Sequence, residues 1–580
     1  MMSTTHDHAH FTPIALGIKV RIAAIAVVAA VVQVIVAPLP ARSDDVPPAA
    51  ARKVDPSLLT RAELSRFEAT SRYDDVVAFG DALSTRSPLI RVATFGVTHQ
   101  GRKLPLWILA DPPVATPEEA RGAGKTIVFV MANIHAGEVE GKEAAQHVAR
   151  RILLGDLRPR LRNLVVLIAP IYNADGNEPI STANRPEQYG PVDGVGLREN
   201  AQGLDLNRDY IKLESPEARA LVRLFRRWDP HLTVDLHTTN GSYHGYHLTY
   251  STPLHPSADP RILAFHHDQM MPDVAATMIK DYHFRTYYYG NFGGFSHLPD
   301  TPARARWEAF THLPRIGQNY LGFRNRLTIL SEAYSYLDFH KRIDVTEAFV
   351  ASILAFASAR DLEIRNLTRA VDLDTTRRGL PGADPLRLDV ACTLKPLPKP
   401  VEILVGAVEH KPNPRSGKPM TVMIENKLTP TKMLDYGRYE SLRQVPLPNA
   451  YVFANDPTLR GVLENLQAQG VVVEQLAAPA QLAVESFAIE TLKPAGRPFQ
   501  GHKILKITGK FAKSTIDFPA GSYVVRTAQP LARLAACLLE PESEDGLAAW
   551  NFLDAALAPG KVYPIHKLTG VLNASARLVE

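Results

Sequence analysis

The run Thr126-Ile-Val-Phe-Val-Met-Ala-Asn133 constrains this chain more than any other feature of its sequence. Ile127 to Ala132 are all apolar, the pattern of a strand buried on both faces, which needs covering elements above and below the sheet. Gly141 to Leu154 follows with helical spacing, placing Ala144, Ala145, Val148, Ile152 and Leu153 on one face. Leu164-Val-Val-Leu-Ile-Ala-Pro170 is a second buried strand. Ser215 then opens a helix, with Pro216 in its first turn, that runs to about Trp228. Leu232-Thr-Val-Asp-Leu236 and Leu327-Thr-Ile-Leu-Ser331 are further strands. This alternation predicts an α/β fold with helices on both faces of a central sheet.

At 580 residues the chain is too long for one ordinary domain. Its 65 basic and 60 acidic side chains leave +5, with no lysine–arginine block. That excludes a nucleic-acid footprint. Cys392 and Cys537 are the only cysteines, too few for a disulfide scaffold, a four-cysteine zinc site or an iron–sulfur cluster. One disulfide or two buried thiols are the alternatives left, and Cys537 lies in an apolar run.

The N-terminus reads as a targeting segment. Lys19 and Arg21 precede sixteen uncharged residues, Ile22 to Ala37, short for a spanning helix but suited to a secretory apolar region. Residues 1–41 are therefore expected to be a signal peptide or membrane anchor, with small residues offering cleavage after Ala41 or Ala51. The mature chain is expected to be secreted or periplasmic, without stable membrane insertion once the segment is removed. A Pro/Ala/Asp-rich linker occupies 42–59, and 60–365 forms the unit carrying the chemistry. A proline-rich linker over 366–400 leads to an α+β accessory unit over 401–580. Its expected elements include the strands Val401-Glu-Ile-Leu-Val405 and Ser522-Tyr-Val-Val-Arg526 and a helix from Ala528 to Leu539. No constellation of chemical groups follows Glu332.

Among twenty histidines only His135 has a glutamate three residues later, Glu138. The pair lies where a buried strand ends and a helix begins, the edge at which open α/β sheets bind ligands. One imidazole and one carboxylate suit zinc, which needs one more protein ligand and an open position for water. His237 offers that ligand at the end of Thr233-Val-Asp-Leu-His-Thr238. His244 and His247 are rivals in a Gly/Ser/Tyr loop.

Between these ligands lies Gly196-Leu-Arg-Glu-Asn-Ala-Gln-Gly-Leu-Asp-Leu-Asn-Arg-Asp-Tyr210. With His-x-x-Glu before it, a strand-end His after it and a strand-end Glu at Glu332, the sequence resembles the zinc carboxypeptidases of peptidase family M14. The resemblance spans about Leu64 to Asp361. Asn173-Ala-Asp-Gly176 also resembles that family's Asn-Pro-Asp-Gly turn, with Ala174 replacing Pro.

The resemblance implies a mixed central sheet, one Zn²⁺ per chain and a peptide substrate. His135, Glu138 and His237 are expected to hold the metal, and Glu332 to act as general base toward water. Arg198 is expected to stabilise the oxyanion. Arg208, a planar fork matched to a carboxylate, and Asn207 would grip the substrate's terminus. By resemblance Asp205 stands behind His135. Family members cover the substrate with a tyrosine; at the matching distance this chain has Phe310, so Tyr320 is expected to stand in, with Tyr288 and Tyr289 as rivals. Two other functions stay open: a zinc amidase acting on a cell-wall peptide or an N-acyl amino acid, and a non-catalytic binding protein retaining the fold.

Overall fold

A computed structural model describes residues 55–299 and 305–579, so the expected signal or anchor segment lies outside the described residues. The apolar runs form an eight-stranded sheet. Its strands are β1 (Ile90–Val97), β2 (Lys103–Leu109), β3 (Thr126–Ala132), β4 (Leu164–Ala169), β5 (Leu232–Thr239), β6 (Leu248–Ser251) and β7 (Thr286–Tyr288). After β8 (Arg306–Glu308), which pairs elsewhere, β9 (Leu327–Tyr334) completes it. The order is β1-β2-β4-β3-β5-β9-β6-β7. The four central strands are mutually parallel, and antiparallel pairs flank them at β2–β4 and β6–β9. Every residue of β3, β4 and β5 is buried, as strands covered on both sides must be.

Side-chain parity assigns the covering helices to opposite faces. Leu236 of β5 pairs in register with Ala132, and its Cβ stands 2.8 Å from where a Cβ on Gly141 would lie. The helix Glu140–Leu154 therefore covers that face, and only glycine lets it approach so closely. Phe129, three residues before Ala132, points the other way and meets Phe225 edge-on, with ring centroids 5.8 Å apart. Phe225 belongs to the helix Pro216–Trp228, which Ser215 caps by accepting the Ala218 amide. The chain thus forms the expected mixed α/β sheet with helices on both faces.

The long helices Phe339–Ala359 and Asp361–Arg378 follow β9, and β10 (Arg387–Lys395) comes next; helix and strand thus occupy most of 366–400. Beyond them the chain is β-rich. Its strands are β11 (Val401–Pro412), β12 (Pro419–Tyr436), β13 (Arg438–Pro446), β14 (Ala450–Phe453), β15 (Glu474–Leu476), β16 (Ala480–Pro494), β17 (Leu505–Phe518), β18 (Tyr523–Arg526), β19 (Ile565–Leu568) and β20 (Ala576–Leu578). Seven of them form one sheet, ordered β17-β16-β19-β14-β18-β15-β20. β12 pairs in parallel with β8 through Leu434–Arg306, Asp435–Trp307 and Tyr436–Glu308, so the two halves of the chain share a sheet. The helix expected from Ala528 begins at Ala532, since Pro530 disfavours helix in the residue before it. Cys392 and Cys537 are both free thiols.

Candidate metal centre

The chain leaves β3 for β4 on one side and later returns to β5 on the other. That reversal opens a crevice at the strands' carboxyl ends. His135 and Glu138 occupy the turn after β3, His237 lies in β5 and Glu332 in β9. Asn173, after β4, ties the loops together: its Nδ2 donates to the carbonyls of Ile134, Arg198 and Glu199, and its Oδ1 accepts the Gly176 amide.

His135 Nδ1 lies 3.0 Å from Glu138 Oε1, His237 Nδ1 lies 3.0 Å from Glu138 Oε2, and the two Nδ1 atoms are 3.2 Å apart. Donors bound at about 2.0–2.1 Å to one tetrahedral zinc stand about 3.3–3.4 Å from each other. The observed spacing fits. Carboxylates back both imidazoles: His135 Nε2 is 3.0 Å from Asp205 Oδ1, and His237 Nε2 is 2.9 Å from Asp235 Oδ2. Such partners fix the ring orientation and leave Nδ1 to the metal.

The electrostatics favour a cation. Burial would raise the Glu138 carboxyl, but the charges of His135 and Arg185 hold it well below its usual range. Burial would keep His237 neutral, yet Asp235 and Glu138 lift its pKa well above the ordinary value. At Asp205 burial is likewise outweighed, by the His135 hydrogen bond and by the charges of His135, Arg198 and Arg208, so this carboxyl stays well below its usual range.

Arg198 reaches the same point. Its Nε and Nη2 donate to Asp205 Oδ2 at 3.1 and 2.9 Å, and its Nη1 lies 3.7 Å from Glu138 Oε1. Glu332 lies beside His237, and its Oε2 has no hydrogen-bond partner among the described residues. Burial pushes its carboxyl up to about 8, with Glu138 and Asp235 adding to the rise against His237 and Arg198.

These groups line one cavity of about 720 Å³. Asn207 and Arg208 line it too; Asn207 Oδ1 accepts the Gly317 amide at 3.0 Å, and the Arg208 guanidinium lies 5.6 Å over the Phe310 ring. Tyr320 is not brought there. It is fully buried, donates to Gln469 Oε1 at 2.6 Å and accepts from Arg324 at 3.2 Å. Tyr289 lines the cavity instead, its Oη accepting from Thr239 Oγ1 at 3.4 Å. The rival ligands lie apart: His244 stacks on Tyr334 at 4.0 Å, and His247 pairs with Glu425 at 3.0 Å.

Sequence reasoning did not single out Arg185, which donates to Glu138 Oε1 at 2.6 Å; nothing in its neighbourhood marks it. Asp235 did carry a signal, as an acid two residues before His237 in an apolar strand and hence on the same face. Among the described residues one other group, His255, His312 and Cys392, gathers three donor atoms within 4.8 Å. There the Ser257 amide donates to His255 Nδ1 at 3.1 Å, which leaves the proton on Nε2 and no free lone pair on that ring. Burial also pushes the Cys392 thiol far above its ordinary value.

The zinc carboxypeptidase family, Peptidase M14, matches residues 76–307. Carboxypeptidase 2 of Trichophyton rubrum is 23% identical over 499 residues, 81% of each chain. Carboxypeptidase Z of Homo sapiens is 34% identical over 118 residues, 19% of this chain and 17% of that one. A solved metallo-carboxypeptidase from Burkholderia cenocepacia aligns at 19% identity and a TM-score of 0.37, over 50% of this chain and 70% of that one. The chain carries a zinc carboxypeptidase domain of the M14 peptidase family over residues 76–307 and is an enzyme of the metallocarboxypeptidase class.

Proposed function

We propose that this enzyme removes the C-terminal residue of peptides, using one zinc ion held by His135, Glu138 and His237. The carrying observation is that the Nδ1 atoms of His135 and His237, 3.2 Å apart, each lie 3.0 Å from one oxygen of the Glu138 carboxylate, with each imidazole backed by a further carboxylate. Bound zinc supplies a Lewis acid that polarises the scissile carbonyl and lowers the pKa of water. Glu332 takes the proton from the attacking water and passes it to the departing amine. Its carboxylate fits this role because it opens into the cavity with a free oxygen. Arg198 faces the developing oxyanion from beside the metal ligands, where a fixed charge costs no reorganisation. Arg208, half-buried against Phe310, and Asn207 hold the terminal carboxylate. Tyr289 is the aromatic hydroxyl placed to close over the substrate. Export as a secreted or periplasmic enzyme is supported by Lys19, Arg21 and the uncharged run Ile22 to Ala37; no described helix is long and apolar enough to cross a membrane.

Release of the last residue from free-acid and C-terminally amidated peptides, with and without a chelator, tests this reading. Free-acid peptides should lose one residue at a time, amidated ones should be poor substrates, and the chelator should abolish release. Equal cleavage of both would replace the carboxypeptidase with a zinc amidase.

A further inference from the structure

The β-rich C-terminal part holds two groups beside the metal centre, Asp205 and the Arg185 loop. The β16–β17 connection ends in a tight turn in which the Phe499 and His502 backbones exchange hydrogen bonds of 2.8 and 3.0 Å. Gln500 and Gly501 lie at φ 51 and 79, the pair of left-handed conformations of a two-residue hairpin turn. This posture directs Gln500 inward, and its Oε1 accepts the Asp205 amide N–H at 2.9 Å. His502 anchors the turn by lying 2.7 Å from Glu214 Oε1. Asp205 in turn holds both His135 and Arg198.

The β11–β12 turn grips the loop that carries Arg185. Arg415 Nη2 donates to the carbonyls of Arg185 and Gln188 at 2.9 and 3.2 Å. Asn413 Nδ2 donates to those of Pro186 and Gln188, both at 3.0 Å. Arg185 sits at φ 48, a left-handed conformation that a non-glycine residue keeps only when its surroundings impose it. From there its guanidinium reaches Glu138.

We propose that Gln500 and Arg415 are positioning residues of the metal centre, so that the C-terminal part is a working component of the active site. Gln500 acts through Asp205 on His135 and Arg198; Arg415 acts through Arg185 on Glu138. The inference rests on the reading of His135, Glu138 and His237 as zinc ligands. Groups behind metal ligands typically control affinity or activity by about 10–100-fold. These two act one bond further out, which sets the expectation at the lower end.

The test compares full-length wild type with Gln500→Ala, Arg415→Ala and the conservative Gln500→Glu, which keeps an acceptor of the same reach. Zinc affinity is read by chelator competition, and kcat and KM by release of a C-terminal residue. Both alanine variants should bind zinc about tenfold more weakly and lose about tenfold in kcat, with KM within about twofold and Tm nearly unchanged. Gln500→Glu should stay within about threefold of wild type. Unchanged zinc affinity and kcat in both alanine variants would overturn the proposal, as would a loss confined to Tm. If wild type releases no C-terminal residue, the carboxypeptidase reading fails, and the zinc titration still decides this inference by itself.

Discussion

Glu332 and His237 are register partners on the adjacent parallel strands β9 and β5. In register on parallel strands, the two side chains project to the same face about 4.8 Å apart at their backbones. The proposed base and a proposed metal ligand are thus set side by side by the sheet itself, with no loop between them.

That placement separates base from ligand in an experiment. Glu332→Gln should retain about one zinc per chain while activity falls by about 10²-fold or more, the worth of general-base catalysis. Metal analysis alongside kcat checks it. Loss of zinc would make Glu332 a ligand, and full activity would remove it from the mechanism.

Arg208 should read the substrate's terminal charge. Removing one partner of a partly dry charge pair costs about 2–5 kcal/mol, or about 30-fold and more in kcat/KM. Arg208→Met should therefore impair free-acid peptides severely while changing little for amidated ones, because both alterations delete one interaction. Initial rates for the four combinations measure the coupling.

The two tyrosines should behave in opposite ways. Tyr320→Phe strips the buried Gln469 and Arg324 of a partner and should cost about 1–3 kcal/mol of stability, with kcat unchanged. Tyr289→Phe should leave Tm alone and lower turnover. Thermal melts and kinetics on both variants separate the roles.

Asp205→Asn keeps the shape but removes the charge behind His135. Zinc affinity should weaken by about 10–100-fold, and Arg198 should lose its paired acceptor. Chelator titration monitors the first effect directly.

Away from the site, His147 should give the fold a defined pH response. It lies between Glu347 at 2.9 Å and Glu63 at 3.6 Å; burial opposes its charge, but these acids lift its pKa from 6.5 to about 9. Because the folded value is the higher one, its stabilisation is complete below about 6.5 and fades as pH rises through about 9. The full effect is about 3 kcal/mol. Subtracting the melting profile of His147→Gln from that of wild type between pH 6 and pH 10 should reveal it.

The parts of this molecule that were legible in the sequence are those where a local pattern and a tertiary role coincide. β3, β4 and β5 are buried on both faces, and burial writes itself as an apolar run; the candidate site residues stand out because they break the run at its end. Tyr320 misled because distance along the chain toward Glu332 says nothing about direction: Gly317–Phe323 is a helix whose residues are all buried. Arg185, Tyr289 and Thr421 reach the cavity from loops and a hairpin, where no periodicity announces orientation. Asp235 lay in plain view, its meaning given by the two-residue repeat of the strand that carries it.

The hydrogen bond between Asp205 and Gln500 joins positions 295 residues apart. During synthesis the proposed zinc ligands emerge long before the turn that props Asp205 from behind. Folding of the central sheet alone leaves the Asp205 amide without this acceptor, and the contact closes only when the β16–β17 hairpin has docked. Timing is thereby written into the topology: the candidate site gains its Asp205 support only after the chain has been made past Gln500.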